Sequence, residues 1–416
     1  MAFSYIDIFA GAGGLSEGFR RNGYIPVAHV EMKKEACLTL KTRECFYYLN
    51  EHGRIEDYKR YLRKEITRDE LYEMVPEKVL NSVINETMSE ERMSALFDRI
   101  DYFMEIQGIE NVDVLVGGPP CQAYSLVGRA RSKTNMVGDP RNYLYMLYYK
   151  VLEKYQPKMF VFENVPGLLT ANGGSYFDDM RKRFRKAGYF LEHRVLNSKE
   201  YGVLQNRRRV ILIGWREGTN YTYPELDKKE QKYLVDDLFS DLPSIEPGET
   251  RNVYKCELTE YLRESEIRME DDILTLHQAR PNQERDRKIY RRVIEAWNDG
   301  QRRLKYTELP EELCTHNNRT AFLDRFKVVA KDMPYAQTMV AHISKDGHYF
   351  IHPDIKQARS ISVREAARIQ SFPDNYFFEG GRTAAFLQIG NAVPPLLASA
   401  IAKKLKEQLT EEEVNG

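Results

Sequence analysis

The chain has 416 residues, enough for two domains with a core each, and its 62 basic residues are balanced by 62 acidic ones. With no net charge there is no global attraction to nucleic acid, so any such surface must be local. No segment has the apolar length that spans a bilayer, and no basic-then-apolar leader is read at the start. The five cysteines, Cys37, Cys45, Cys121, Cys256 and Cys314, are widely spaced without a C-x-x-C pair, which suggests neither a disulfide framework nor a zinc or other metal site. A reduced, cytoplasmic protein is expected.

Residues 4–9, Ser-Tyr-Ile-Asp-Ile-Phe, read as a buried strand that ends in Ala10-Gly-Ala-Gly-Gly14 and runs into an amphipathic helix from Leu15 to Asn22. Strand, glycine turn and helix N-terminus together offer backbone N–H groups and close approach to a nucleotide. A second strand, Ile25 to Val30, ends at Glu31, an acid about 20 positions past the glycines and so placed for ribose hydroxyls. The pattern G-x-G-G lacks the third glycine of a pyrophosphate-binding turn, so a ligand with a ribose and no phosphate fits better. S-adenosylmethionine is such a ligand; another nucleotide, or a plain tight turn, stays open on this motif alone.

Residues 46–108 are charged and helical in period, and read as an inserted helical segment without assigned chemistry. Within it Glu65-Ile66 reads as an acidic-apolar step ending a third strand, with an ordinary helix surface as the alternative. Val112, Val114, Leu115 and Val116, broken only by Asp113, read as a strand that runs into Gly117-Gly-Pro-Pro120 and stops at Cys121. The glycines permit a sharp turn, the prolines stiffen the lead-in, and a thiol at such a corner is placed for chemistry. A structural free cysteine is the alternative. The loop from Gln122 to Asn142 is polar and basic, with Gly128 and Gly138 as hinges.

A helix (Tyr143 to Tyr155) leads to the strand Lys158 to Phe162 and then Glu163-Asn-Val-Pro166, an acid on the same sheet edge as Cys121. After a helix from Tyr176 to Ala187, two strands (Tyr189 to Leu196, Val210 to Trp215) flank Gln205-Asn-Arg-Arg-Arg209. Three arginines cannot all be buried unpaired, so at least one must meet an anionic or carbonyl-bearing partner. From Glu217 to Ser360 the alternation of strand and helix fades into an irregular second domain. It holds a basic run from Arg280 to Lys305 interleaved with Tyr290, Trp297 and Tyr306, a composition compatible with nucleic acid. Order returns with a helix from Ser362 to Gln370, the turn Ser371-Phe-Pro373, the segment Gln388-Ile-Gly-Asn-Ala-Val-Pro-Pro395 and an apolar helix from Leu396 to Leu405.

Taken together, Asp7-Ile-Phe-Ala-Gly-Ala-Gly-Gly14, Glu31, Gly118-Pro-Pro-Cys-Gln122, Glu163-Asn-Val165, Gln205-x-Arg207-x-Arg209, Arg364-x-x-x-Arg368-x-Gln370-x-Phe-Pro373 and Gln388-x-Gly-Asn391 resemble, in order, the motifs of the DNA (cytosine-5) methyltransferases, of the bacterial or phage modification type. The resemblance implies an α/β fold, a doubly wound Rossmann-like sheet binding S-adenosylmethionine, with a smaller irregular target-recognition domain. The catalytic domain would be 1–216 plus 384–416, with 46–108 as its insertion, and the target-recognition domain 217–383. Phe9, Ala10, Gly11, Gly13, Gly14, Leu15, Glu31, Met32, Gly118, Pro120, Leu144, Asn391 and Ala392 would line the cofactor pocket, and Glu65-Ile66 looks like the family's acidic-hydrophobic pair beside the adenine. Cys121 would be the nucleophile, with Glu163, Arg207 and Arg209 holding the base.

The resemblance also implies methylation at carbon 5 of a cytosine in a specific double-stranded DNA sequence. The cytosine would be flipped out of the duplex and held as a covalent Cys121 adduct. Gln122, Ser125, Arg129, Arg131 and Lys133 would contact DNA from the loop, and specificity would come from the second domain. A monomer without a membrane association is expected, with a cognate restriction endonuclease acting separately if there is one. Two other readings compete. A tRNA cytosine-5 methyltransferase of this family carries a Cys-Phe-Thr element, whereas Cys314-Thr-His316 lacks the Phe. A dinucleotide-dependent oxidoreductase explains the glycines and Glu31 but not Cys121, Glu163 and the arginines together.

Overall fold

The computed structural model describes residues 2–120, 143–314 and 323–415. Seven strands, β1 (Ser4–Ile8), β2 (Ile25–Glu31), β3 (Val83–Asn85), β4 (Val114–Gly117), β5 (Met159–Asn164), β6 (Tyr189–Asn197) and β7 (Arg208–Arg216), form one sheet in the order β3-β2-β1-β4-β5-β7-β6. β7 pairs antiparallel with both its neighbours, and the ladders from β3 to β5 are parallel. The chain leaves β1 toward β2 on one side and returns as β4 on the other, so β1 marks the point where strand order reverses. In open α/β sheets that is where ligands bind, at the carboxyl ends of the strands.

Helices cover both faces. The chain up to β4 holds α1 (Gly14–Arg21), α2 (Lys34–Glu51), α3 (Ile55–Leu62), α4 (Arg68–Glu73), α5 (Glu77–Asn81) and α6 (Met93–Gln107). Beyond it come α7 (Leu144–Tyr155), α8 (Ser175–Lys186), α9 (Glu260–Glu264), α10 (Glu284–Asn298), α11 (Val363–Ile369), α12 (Arg382–Asn391) and α13 (Pro395–Asn415). Alternation along the strands decides which face each residue serves. Ile6, Leu115, Phe160, Phe162 and Leu212 pack under α6, α7 and α8, whereas Tyr5, Val116, Val161 and Ile213 pack under α1 and α13. Helices α1 and α13 touch at backbone distance: a Cβ on Gly18 would lie 2.4 Å from Ala398, and one on Gly14 2.1 Å from the Val393 carbonyl oxygen.

The third strand departs from the expectation. Glu65 does not end a strand; it lies in the turn after α3, exposed and within ion-pair range of Arg63 at 3.9 Å. Ile66 is buried with the apolar residues of α3, α4 and α5. The strand is Val83–Asn85, paired with His29, Val30 and Glu31. Three residues are too few for a period-two signal, and helices on either side hide it. The segment 46–108 is therefore more than a helical insertion, because it carries one strand of the sheet and α6, the helix that leads back to β4.

A second core lies outside the sheet, built from Val235, Leu238, Leu262, Ile267, Met339, Phe350, Ile369, Phe372 and Phe378 among others. Buried ion pairs organise it. Arg368 bridges Asp241 and Asp374 at 2.5 Å each, and Arg359 makes a two-pronged contact with Glu365 at 2.8 Å. Ser362 and Glu365 close a reciprocal cap on α11, which starts the helix where the sequence places it. Two stretches cross the expected division at 216 and 384. Tyr221, Tyr223 and Leu226 pack with the sheet and α13, while Ala385, Phe386 and Ile389 of α12 pack in the second core.

Candidate active site

The strand ends stand in one row. Val30 pairs with Ile8, Ile8 with Gly117, Gly117 with Phe162, and Phe162 with Leu212. Glu31, the glycine turn, Gly118 and Glu163 each follow directly on that row. From β2 to β5 it spans three strand gaps, about 14 Å at the usual spacing.

At the β1–β2 end the turn is set by left-handed backbone at Phe9 (φ 56), Gly11 (φ 56) and Gly13 (φ 78). The Glu31 carboxylate accepts hydrogen bonds from the N–H of Gly11 (2.9 Å) and of Lys33 (2.7 Å), so it is oriented before any ligand arrives. Among the described residues, a Cβ on Gly11 would meet nothing within 4 Å. Open space thus lies directly above a turn whose acid neighbour is already fixed. Met32, half exposed, follows Glu31, and its carbonyl accepts from the Asn85 side chain at 3.0 Å. Glu86 N–H donates to the Glu31 carbonyl at 3.0 Å. Asn85 and Glu86 therefore hold the strand-end position expected of Glu65 and Ile66. Ala10 is half-buried against Cys37, Leu40 and Val83, and Phe9 against the sheet core. The Leu15 side chain is buried on the α13 side, so only its backbone can face a ligand.

Beneath this turn Asp7, Ser16 and His29 form a chain that superficially looks catalytic. Ser16 Oγ donates to Asp7 and lies 3.1 Å from His29 Nδ1. All three are buried, and burial pushes the Asp7 carboxyl up to about 6. No solvent-facing atom completes a nucleophilic site, so the chain serves to dock α1 on β1 and β2.

At the β4–β5 end, Arg209 Nε meets Glu163 Oε1 at 2.7 Å, both side chains largely buried. The register explains the meeting. Glu163 pairs with Ile211, and Arg209 lies two residues before Ile211 on the same face of β7. Gly118 closes the other side, since a Cβ there would stand 2.8 Å from Glu163 Oε2. Asn164 donates from Nδ2 to the Pro119 carbonyl at 3.1 Å and so pins the proline lead-in to β5. Pro120, half-buried, ends the described part of that lead-in. Leu144 begins α7, whose Tyr148 hydroxyl reaches the carbonyls of Leu115 and Val161 between β4 and β5 (3.1 Å each).

Arg207 lies elsewhere, contrary to its expected place beside the base. Its guanidinium is fully buried and donates to the carbonyls of Met339 (2.5 Å) and Ala392 (2.9 Å). It clamps the entry to β7 against the end of α12. Ala392 is accordingly occupied through its carbonyl, while Asn391 is exposed and Val393 abuts Gly14. Cys121, Gln122, Ser125, Arg129, Arg131 and Lys133 lie outside the described residues, as do Thr315 and His316.

The family model described as C-5 cytosine-specific DNA methylase matches residues 3–70 and 91–407, leaving out the stretch that contains β3. Type II methyltransferase M.Bpa9945I of Bacillus paralicheniformis is 42% identical, over 97% of this chain and 98% of that protein. Type II methyltransferase M.AgeI of Thalassovita gelatinovora is 31% identical, over 96% and 98% respectively. Among solved structures, a putative DNA modification methyltransferase encoded within an E. coli prophage superposes with a TM-score of 0.64 at 21% identity, covering 98% of this chain and all of that one (100%). That likeness is one of fold.

Proposed function

The chain belongs to the C-5 cytosine-specific DNA methylase family, and from that premise we propose which residues do its work. It is a DNA (cytosine-5) methyltransferase, with S-adenosylmethionine as methyl donor and double-stranded DNA as substrate. The oxidoreductase reading falls with that membership. The observation that carries the residue assignment is the Glu163–Arg209 pair, held at 2.7 Å beside the Gly118 turn that leads to Cys121.

The donor fits the β1–β2 end because Gly11 leaves open space and Glu31 is already oriented by two N–H groups. Glu31 would take the ribose hydroxyls. Phe9, Ala10, Gly11, Gly13 and Gly14, the backbone of Leu15, and Met32 would hold the nucleoside, with Asn85 and Glu86 in place of Glu65 and Ile66. Gly118, Pro120, Leu144, Asn391 and Ala392 would border the methionine end. When bound, S-adenosylmethionine supplies an electrophilic sulfonium methyl group.

Carbon 5 of cytosine is too weak a nucleophile to take that methyl unaided. The Cys121 thiolate adds to carbon 6, and the ring electron pair moves to carbon 5, which becomes nucleophilic. The Glu163 carboxylate, fixed by Arg209, accepts from the N4 amino group at the edge of the base and so holds the ring in place as it gains electron density. After transfer, loss of the carbon 5 proton drives out the Cys121 sulfur and restores the ring. Arg207 acts as a clamp and not on the base. A stacked cytosine cannot reach these groups together, so it is flipped out, at roughly a few kcal/mol.

Gln122, Ser125, Arg129, Arg131 and Lys133 would grip the phosphates, a contact that carries no sequence information. The target is read by the 217–383 part, with its border set by packing nearer Leu226. We place the enzyme in the cytoplasm with its DNA, acting as a monomer. A restriction endonuclease of matching specificity would act separately, in keeping with the type II names of the relatives.

Incubation with methyl-labelled S-adenosylmethionine, on duplex DNA and on tRNA side by side, tests the reading. Label should enter DNA alone, and bisulfite sequencing of DNA from expressing cells should give protected cytosines in one sequence context. Label confined to tRNA would overturn it.

A further inference from the structure

We propose that Tyr376 is the positioning residue of the S-adenosylmethionine loop, acting through the hydrogen bond from its hydroxyl to the Ala12 carbonyl; this rests on the reading that the glycine turn holds that donor. The residue lies just after Pro373 in the second core, yet its phenol crosses to the turn after β1 and donates to Ala12 inside it. Ala12 itself is buried in the second core and not in the sheet core. The hydroxyl fills the space that a missing side chain leaves, because a Cβ on Gly13 would stand 2.8 Å from it. Gly13, at φ 78, is the left-handed hinge that turns the chain into α1.

The phenol is held rigidly at its other end. Its ring lies 4.8 Å from that of Phe372 and 5.2 Å from that of Phe378, with the Arg43 guanidinium 4.8 Å over its face. Arg43 is anchored to Glu17 of α1 at 2.6 Å, and the Tyr376 carbonyl accepts from Arg364 at 3.1 Å. A fixed donor at Ala12 O sets the height of the turn, and the N–H of the preceding residue, Gly11, is one of the two that orient Glu31. Tyr376 therefore touches no reacting atom. It acts on the ribose acid through the turn.

The test is the binding of S-adenosylhomocysteine to the full chain by calorimetry, in the wild type and in Tyr376→Phe, which removes only the hydroxyl. The Kd of Tyr376→Phe should rise about tenfold, the size of one neutral hydrogen bond. The KM for S-adenosylmethionine should rise in parallel, while kcat at saturation stays within about twofold. Leu258→Ala, in the same core but away from the turn, is the control for stability. It should lower the melting temperature and leave the Kd unchanged. An unchanged Kd in Tyr376→Phe, or a Kd that rises equally in Leu258→Ala, overturns the positioning role while leaving the enzyme reading intact. If the wild type fails to bind S-adenosylhomocysteine, the reading of the turn falls, and the proposal with it.

Discussion

Glu163 and Arg209 come from strands that run in opposite directions, and they meet on the diagonal of the Glu163–Ile211 pair with 2.7 Å between Oε1 and Nε. Register brings the two side chains within reach of each other, and the contact joins β5 to β7. Because the two act as a unit, their substitutions should not add. Glu163→Gln and Arg209→Gln should each cut the single-turnover methylation rate by about 10²–10³, the scale of losing one preorganised polar group. The double variant should be little worse than either single one. Losses that multiply would mean that the two act separately.

Cys121→Ser should abolish methyl transfer while leaving the melting temperature within about two degrees, since the change replaces one atom by a smaller one. Duplex DNA with 5-fluorocytosine at the target should become covalently attached when S-adenosylmethionine is present, since the leaving proton is replaced. Turnover by the serine variant, or no denaturation-resistant complex with the wild type, would exclude Cys121 as nucleophile.

Arg207→Met should act on stability before chemistry. The change strips the donors from the Met339 and Ala392 carbonyls, which meet a fully buried guanidinium. A cost of about 2–6 kcal/mol is expected, at about 1–3 kcal/mol for each of two buried carbonyls left unsatisfied. Chemical denaturation should show it as a lower midpoint. A variant with wild-type stability and no activity would return Arg207 to the base pocket.

Two glycines of one turn should respond in opposite ways. Gly14→Ala sets a methyl 2.1 Å from the Val393 carbonyl oxygen, a backbone atom that cannot swing aside, so α1 and α13 must separate. Little folded protein should be recovered. Gly11→Ala meets open space and suffers only from its φ of 56, roughly 1 kcal/mol. It should fold, with reduced affinity for the donor. Comparing soluble yield and melting temperature of the two variants checks the contrast.

Acid sensitivity should come in part from His352. Burial, aided by Arg359, lowers its folded-state pKa from 6.5 to about 3. Its Nδ1 accepts the Asp354 N–H at 3.1 Å, as a neutral ring must, and nearby Glu365 is already engaged by Arg359. The sign follows directly. The unfolded chain takes up a proton below 6.5 that the folded one refuses, so this contribution is present above pH 6.5 and lost as pH falls toward 3. Between pH 7 and 5 the loss is about 2 kcal/mol. His352→Gln should flatten the fall in stability over that window; an equally steep fall would remove His352 as its source.

Much of this was legible in order along the chain. The apolar runs of β1, β2, β4 and β5 each end in a residue that chemistry needs, and glycine or proline marks each turn. Glu31 and Glu163 could be placed on one edge because strand ends in such sheets face the ligand, while Gly118 and Arg209 were singled out by the resemblance to the family. β6 and β7 were legible as apolar runs, though β7 begins at Arg208 and not at Val210. Sequence also determined the α/β class of the fold, with its sheet built from strands separated by helices.

Other decisions needed the third dimension. Glu65-Ile66 and Val83–Asn85 compete for the third strand on local grounds, and only pairing with β2 selects the latter. Arg207 and Arg209 sit two residues apart and look alike locally; that one meets a wall of carbonyls and the other a carboxylate depends on Met339 and α12, far along the chain, and on the register of β5 with β7. The contact from Tyr376 to Ala12 spans 364 positions and has no local signature at all. Periodicity and turn chemistry are properties of neighbours in sequence, and they reveal the elements and their ends. Which buried polar group finds which partner is a property of packing, and the folded chain alone decides it.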